Sequence, residues 1–119
     1  MKEHSVLVHP SRERFGAAVG EPARTIVHAT AHATIVAWRL DPGQAIRAHI
    51  HPHGQDTWTI LAGSGRYLTD RQGGSLSITV GDVVIAEKGQ VHGVVNEGSE
   101  PLLFISVVSP GEAGYELVG

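Results

Sequence analysis

Short apolar and β-branched runs, cut at close intervals by glycine, proline or aspartate, are the feature that most restricts the fold of this chain. They fall at 25–29, 34–40, 45–51, 57–61, 65–69, 75–80, 83–86, 91–96 and 102–108. The breaks between them have turn chemistry: Asp41-Pro42-Gly43, Ala62-Gly63-Ser64-Gly65, Gly73-Gly74, Gly81-Asp82, Lys88-Gly89 and Glu97-Gly98. Strands so numerous and so evenly spaced predict an all-β sandwich or barrel. Fifteen glycines suit that reading, because each tight reversal needs permissive backbone. No stretch sustains a helical period, although 10–18 has room for one short helix.

A chain of 119 residues is long enough for one core and hardly for two. Residues 1–24 are less regular than the rest and are expected to form an N-terminal arm or edge strand. Residues 25–119 form the main domain. The net charge is −3 with histidine neutral, and basic residues do not cluster, so neither a nucleic acid nor an anionic membrane is an expected partner. There is no cysteine, which removes disulfides, zinc–thiolate sites and thiol catalysis together. The first residues lack the apolar core of a signal peptide, and a cytoplasmic location is the expectation. No phosphate-binding glycine loop or dinucleotide fingerprint occurs, and Gly63-Ser64-Gly65 joins two strands rather than a strand and a helix.

Eight histidines are more than a bland domain of this size needs. In the stretch from Gly43 to Asp56, His49 and His51 stand two apart on a predicted strand, so their side chains share one face. Asp56 opens the next strand beyond a proline–glycine corner; if it faces inward, Trp58 and Ile60 do too. His92 heads a later strand, just after the turn at Lys88-Gly89. Three imidazoles and a carboxylate suit one borderline divalent ion: Fe, Mn, Ni, Cu or Zn. They leave room for water, dioxygen or substrate.

The two histidine segments resemble the two signature motifs of the cupin superfamily. Gly43, His49, His51, Asp56 and Gly63 match the first, with aspartate where glutamate is usual. Gly81, Gly89, His92 and Asn96 match the second, with Glu87 where proline is usual. The resemblance runs from about residue 40 to 108. It implies a small single-domain cupin: a double-stranded β-helix, or jelly-roll, barrel that often pairs as a homodimer. It also implies His49, His51, His92 and an acid as metal ligands. Gln55 rivals Asp56 for the fourth place, although the spacing to Gly63 fits the aspartate.

The chemistry implied is that of an oxygenase, isomerase, decarboxylase or lyase acting on a small organic molecule, with a dioxygenase favoured. The alternative is a non-catalytic cupin that binds a small molecule or metal as a sensor or store. Arg47 shares the parity of His49 and His51 and is a candidate for holding a substrate carboxylate, against the ordinary fate of a strand-end arginine reaching solvent. Trp58 is a candidate to stack on substrate, against simple filling of the barrel. His53 is expected in a corner loop, His28 and His32 on a surface or dimer face, and His4 and His9 in solvent. Trp38 is assigned to the barrel or a dimer face, and Asn96 to fixing a turn. No general acid or base beyond the ligands is evident.

Overall fold

The computed structural model describes residues 7–118. Among them, ten strands follow one short 3-10 turn, Ser11–Glu13. The strands are β1 (Ala23–Ala29), β2 (Thr34–Leu40), β3 (Ala45–Ile50), β4 (Gln55–Ala62), β5 (Ser64–Leu68), β6 (Ser75–Thr79), β7 (Val83–Ala86), β8 (His92–Val95), β9 (Leu102–Ser109) and β10 (Glu116–Leu117). They form two five-stranded antiparallel sheets, ordered β1-β2-β9-β4-β7 and β10-β3-β8-β5-β6. The all-β architecture expected from the spacing of the runs is therefore the fold, in the jelly-roll form that the cupin resemblance implies. No helix among the described residues is long and apolar enough to cross a membrane.

Alternation along the strands builds the core. On β4, Asp56, Trp58 and Ile60 are buried while Gln55, Thr59 and Leu61 are exposed; on β9, Leu102, Phe104 and Ser106 are buried. Leu40, Ile46, Trp58, Ile60, Val94, Leu102 and Phe104 close up between the sheets. Trp58 stacks on Phe104 with ring centroids 4.3 Å apart, and its ring also lies 5.8 Å from that of His92, so the aromatic core adjoins the histidine cluster. The motif glycine Gly63 has φ +77°, and a Cβ there would run into the carbonyl oxygen of Pro101. A side chain at that position is excluded on both counts.

The pairing of β3 with β8 contains a bulge. Ile46 faces Val94 and His49 faces His92, so three steps on β3 match two on β8. The extra residue turns both Ile46 and His49 inward and leaves Arg47 outside. At the other end of the chain, β1 begins at Ala23, so the predicted division after residue 24 falls within a paired strand. The preceding segment lies against the barrel, where Gln44 Nε2 donates to the Ala18 carbonyl at 3.0 Å. The start of the expected arm, with His4, lies outside the described residues.

Candidate metal centre

Two neighbouring strands and one corner supply the cluster. His49 on β3 pairs directly with His92, the first residue of β8. His51 follows β3, and Asp56 reaches in from β4 in the opposite sheet. One donor atom from each of the four residues lies within 4.8 Å of every other. His49, Asp56 and His92 are buried and His51 is half-buried.

Each imidazole is fixed by a backbone carbonyl. Nδ1 of His49 lies 2.7 Å from the Arg47 carbonyl, Nδ1 of His51 2.7 Å from the Gly114 carbonyl, and Nδ1 of His92 3.0 Å from the Gln90 carbonyl. A carbonyl only accepts, so each Nδ1 carries the proton and, in the neutral ring, each Nε2 presents a lone pair. Asp56 Oδ2 stands 3.1 Å from His92 Nε2 and 3.3 Å from His51 Nε2. Its other oxygen, Oδ1, accepts a 2.6 Å bond from Ser106 Oγ. Lone pairs facing one another at these distances repel unless a proton or a cation lies between them. The donor set, nitrogen and carboxylate oxygen with fixed outer partners, fits a divalent transition ion.

The electrostatics agree. Burial, then the adjacent His92, lowers the pKa of His49 from 6.5 to about 4, which keeps it a neutral donor. Burial works to raise the pKa of Asp56, but bonds from His51, His92 and Ser106 outweigh it and hold the carboxyl below its ordinary range. Burial works to lower His51, but the bond to Asp56 and the Gly114 carbonyl prevail and raise it. The cluster therefore holds its negative charge and shares a proton where an ion would sit.

A cavity of about 630 Å³ opens beside the cluster. Its walls are largely apolar, with Val36, Trp38, Trp58 and Val108 among them. Tyr115 lies at its mouth, its ring 4.8 Å from that of His49. Trp58 lies on the cavity wall and also fills the core against Phe104, and among the described residues its indole N–H has no acceptor. Arg47 is not brought to the site. Its parity with His49 is broken by the bulge, and its side chain is exposed away from the cavity. Gln55 is exposed too, leaving Asp56 as the acid in the cluster. His53 and His32 are exposed, while His28 is half-buried with its ring 5.7 Å from that of His9. Asn96 fixes a turn, donating to the carbonyls of Leu40 and Glu100 and accepting from the Gly98 N–H.

Four contributors go unnoticed in the sequence. Ser106 carries a readable signal, a lone polar residue at an inward position of an apolar run. Tyr115 and the Gly114 carbonyl belong to a segment with no strand pattern. Arg24, which also lines the cavity, falls in the expected arm.

The family model for the cupin domain matches residues 36–108. The chain belongs to the cupin family. A crystal structure from Klebsiella pneumoniae, of an uncharacterized conserved protein with a double-stranded β-helix domain, is 42% identical to this cupin. It has a TM-score of 0.91, with 97% of this chain and 99% of that one covered. A structure from Thermus thermophilus is similar in fold, at TM-score 0.80 and 22% identity, covering 87% of this chain and 96% of that one. An oxalate-binding protein of Thermotoga maritima is 30% identical over 70 residues. That match covers 59% of this cupin and only 56% of the relative.

Proposed function

We propose that this cupin is a metalloenzyme that holds one divalent transition ion with His49, His51, Asp56 and His92. Its substrate is a small organic molecule in the adjoining cavity, and oxidation by dioxygen is the favoured chemistry. The observation that carries the reading is the convergence of three Nε2 atoms and a carboxylate oxygen beside a cavity of about 630 Å³. That volume is in the range of roughly 300–1,000 Å³ usual for small-molecule sites. A bound ion supplies Lewis acidity and, if it is iron or manganese, activation of dioxygen.

The residues of the chain divide the remaining work. Ser106 and the three backbone carbonyls set the direction of each donor atom. Trp38, Trp58, Val36 and Val108 give an apolar wall that displaces water from a bound molecule. Beyond the cluster, the protonatable groups on the wall are the Tyr115 hydroxyl and the Glu112 carboxylate, both exposed. Isomerases and lyases need a positioned general acid or base. A wall so poor in such groups favours chemistry in which dioxygen is the co-reactant.

A second reading, a non-catalytic binder, draws support from the Thermotoga relative, which is an oxalate-binding protein. We also propose that a homodimer forms through the outer face of the β1-β2-β9-β4-β7 sheet, where Val83 and Ile85 are exposed on β7 and Ile105 and Val107 are half-buried on β9, with Thr59 and Thr57 of β4 between them.

Metal content of protein purified without chelator, followed by oxygen uptake with a panel of small organic acids and phenols, tests the proposal. Near one equivalent of iron or manganese and substrate-dependent uptake would support it. Stoichiometric metal and tight ligand binding without turnover would favour the binder. Failure to hold any ion after reconstitution would overturn both metal-centred readings.

A further inference from the structure

We infer that Arg24 is an anion-binding end of the cavity, so that the substrate is an organic acid whose carboxylate lies away from its metal-binding group. This rests on the metal-centred reading of the site and names its substrate class.

Arg24 lies on β1 opposite Trp38 of β2, and Trp38 in turn lies opposite Phe104 of β9. Residues paired across an antiparallel sheet share a face, and Phe104 is fully buried in the core. Arg24 therefore lies on the inner-face side of the edge strand, where it lines the cavity with its side chain exposed to incoming ligand. Its guanidinium lies over the Trp38 ring, 5.9 Å from the centroid, which limits the positions it samples.

Arg24 and Asp56 occupy opposite corners of this inner face. Two strands, β2 and β9, separate β1 from β4. The row of Arg24, Trp38, Phe104 and Ile60 is four residues along β4 from the row that holds Asp56, Val108 and Thr34. The floor between the corners includes Trp38, Val36, Trp58 and Val108, none of them charged. A ligand that spans it meets a cation at one end and the metal cluster at the other.

The cation is also uncommitted. Among the described residues, no ion pair or hydrogen bond engages Arg24, whereas Arg39 is paired with Asp41 and Arg66 with Glu97. The carboxylates on the cavity wall are Asp56, committed to the cluster, and Glu112, which does not reach Arg24 within ion-pair distance. A planar guanidinium held on an aromatic face over an apolar floor has its fork free for a carboxylate.

The test uses zinc-loaded protein, which binds without redox turnover. Calorimetry compares 2-oxo diacids of increasing chain length with 2-oxo monoacids of the same length. The 2-oxo acid group of each meets the ion, and only the diacid carries a second carboxylate. At the length that spans the cavity, the diacid should bind at least tenfold tighter than its monoacid. Arg24→Gln should erase that difference, and Arg24→Lys should restore part of it. A diacid that gains nothing at any length, or keeps its gain in Arg24→Gln, overturns the inference.

Failure of zinc to bind defeats the metal reading instead. Hexanoate is then compared with hexanamide on the metal-free protein. A carboxylate preference that Arg24→Gln removes sustains the anion site, and equal binding overturns it.

Discussion

Ser106 Oγ donates a 2.6 Å hydrogen bond to Asp56 Oδ1, and so leaves Oδ2 facing His51 and His92. The serine touches no other member of the cluster through this bond, yet it sets which carboxylate oxygen faces the imidazoles. Ser106→Ala should weaken divalent-ion binding by about tenfold, the lower end of what loss of an outer partner costs. Competition with a chromophoric chelator measures it. Unchanged affinity would mean that the packing of β4 alone orients Asp56.

His92 is the hub of the cluster, fully buried and in contact with Asp56. Divalent ion at about a hundred times its Kd should stabilise the wild-type fold by about 2.7 kcal/mol. His92→Ala should fold but gain nothing from the same ion. Thermal melts with and without ion, on both proteins, check this, and a comparable gain in the variant would place the ion elsewhere.

Ion binding should release a proton near neutral pH. The contact with Asp56 raises His51 above its ordinary 6.5, so the ion must displace a proton there. His49, held at about 4, is already neutral and releases none. Affinity should therefore fall as pH drops through the raised His51 value and level off above it. Titrations in two buffers of different ionisation enthalpy count the proton directly; a heat that does not depend on buffer would contradict the assignment.

The ion-free fold should respond to pH through the same groups. The unfolded chain protonates His49 near 6.5 and the folded one only near 4, so His49 costs stability as pH falls between them. The contribution of His51 has the reverse sense. It is complete below 6.5 and fades as pH rises through the raised value. Asp56 stabilises above its unfolded value of 3.8 and loses that effect as pH falls through its depressed one. Denaturant melts should show the His49 loss in His51→Ala between pH 6.5 and 4, and a flat profile there would reject it.

Gly93 lets β8 approach the bulge on β3: a Cβ would stand 2.7 Å from the Ile46 carbonyl oxygen and 3.0 Å from the Ala48 nitrogen. Both are backbone atoms that no rotamer can move. Gly93→Ala should destabilise the fold by about 1–3 kcal/mol, the usual cost of overpacking, and weaken ion binding through displacement of His49. Urea melts and metal content measure the two effects.

All the strands except β10, and the four cluster residues, were legible because their signals are local. Alternation marks β4 and β9, glycine and proline mark the turns, and His49, His51, Asp56 and His92 stand at motif spacing. Arg47 shows the limit of counting by twos. The bulge that turns it outward arises from the match of β3 to β8, a partner far away in sequence. Arg24 is hidden for a similar reason, since among the described strands β1 pairs with β2 alone. Gly114 contributes a backbone carbonyl, a group that every residue type possesses, so no residue identity can announce it.

That carbonyl also couples the cluster to the β10 segment. His51 Nδ1 is fixed by Gly114, and the segment around Gly114 is tied down by the pairing of Glu116 with Ile50 and of Leu117 with His49. The buried Ala113 and its carbonyl, which accepts from the His53 N–H, fasten it further. Docking of residues 113–118 and loading of the cluster are thus reciprocal. Whatever affinity the docked segment lends to a bound ion, that ion would return as protection of the segment against undocking and proteolysis.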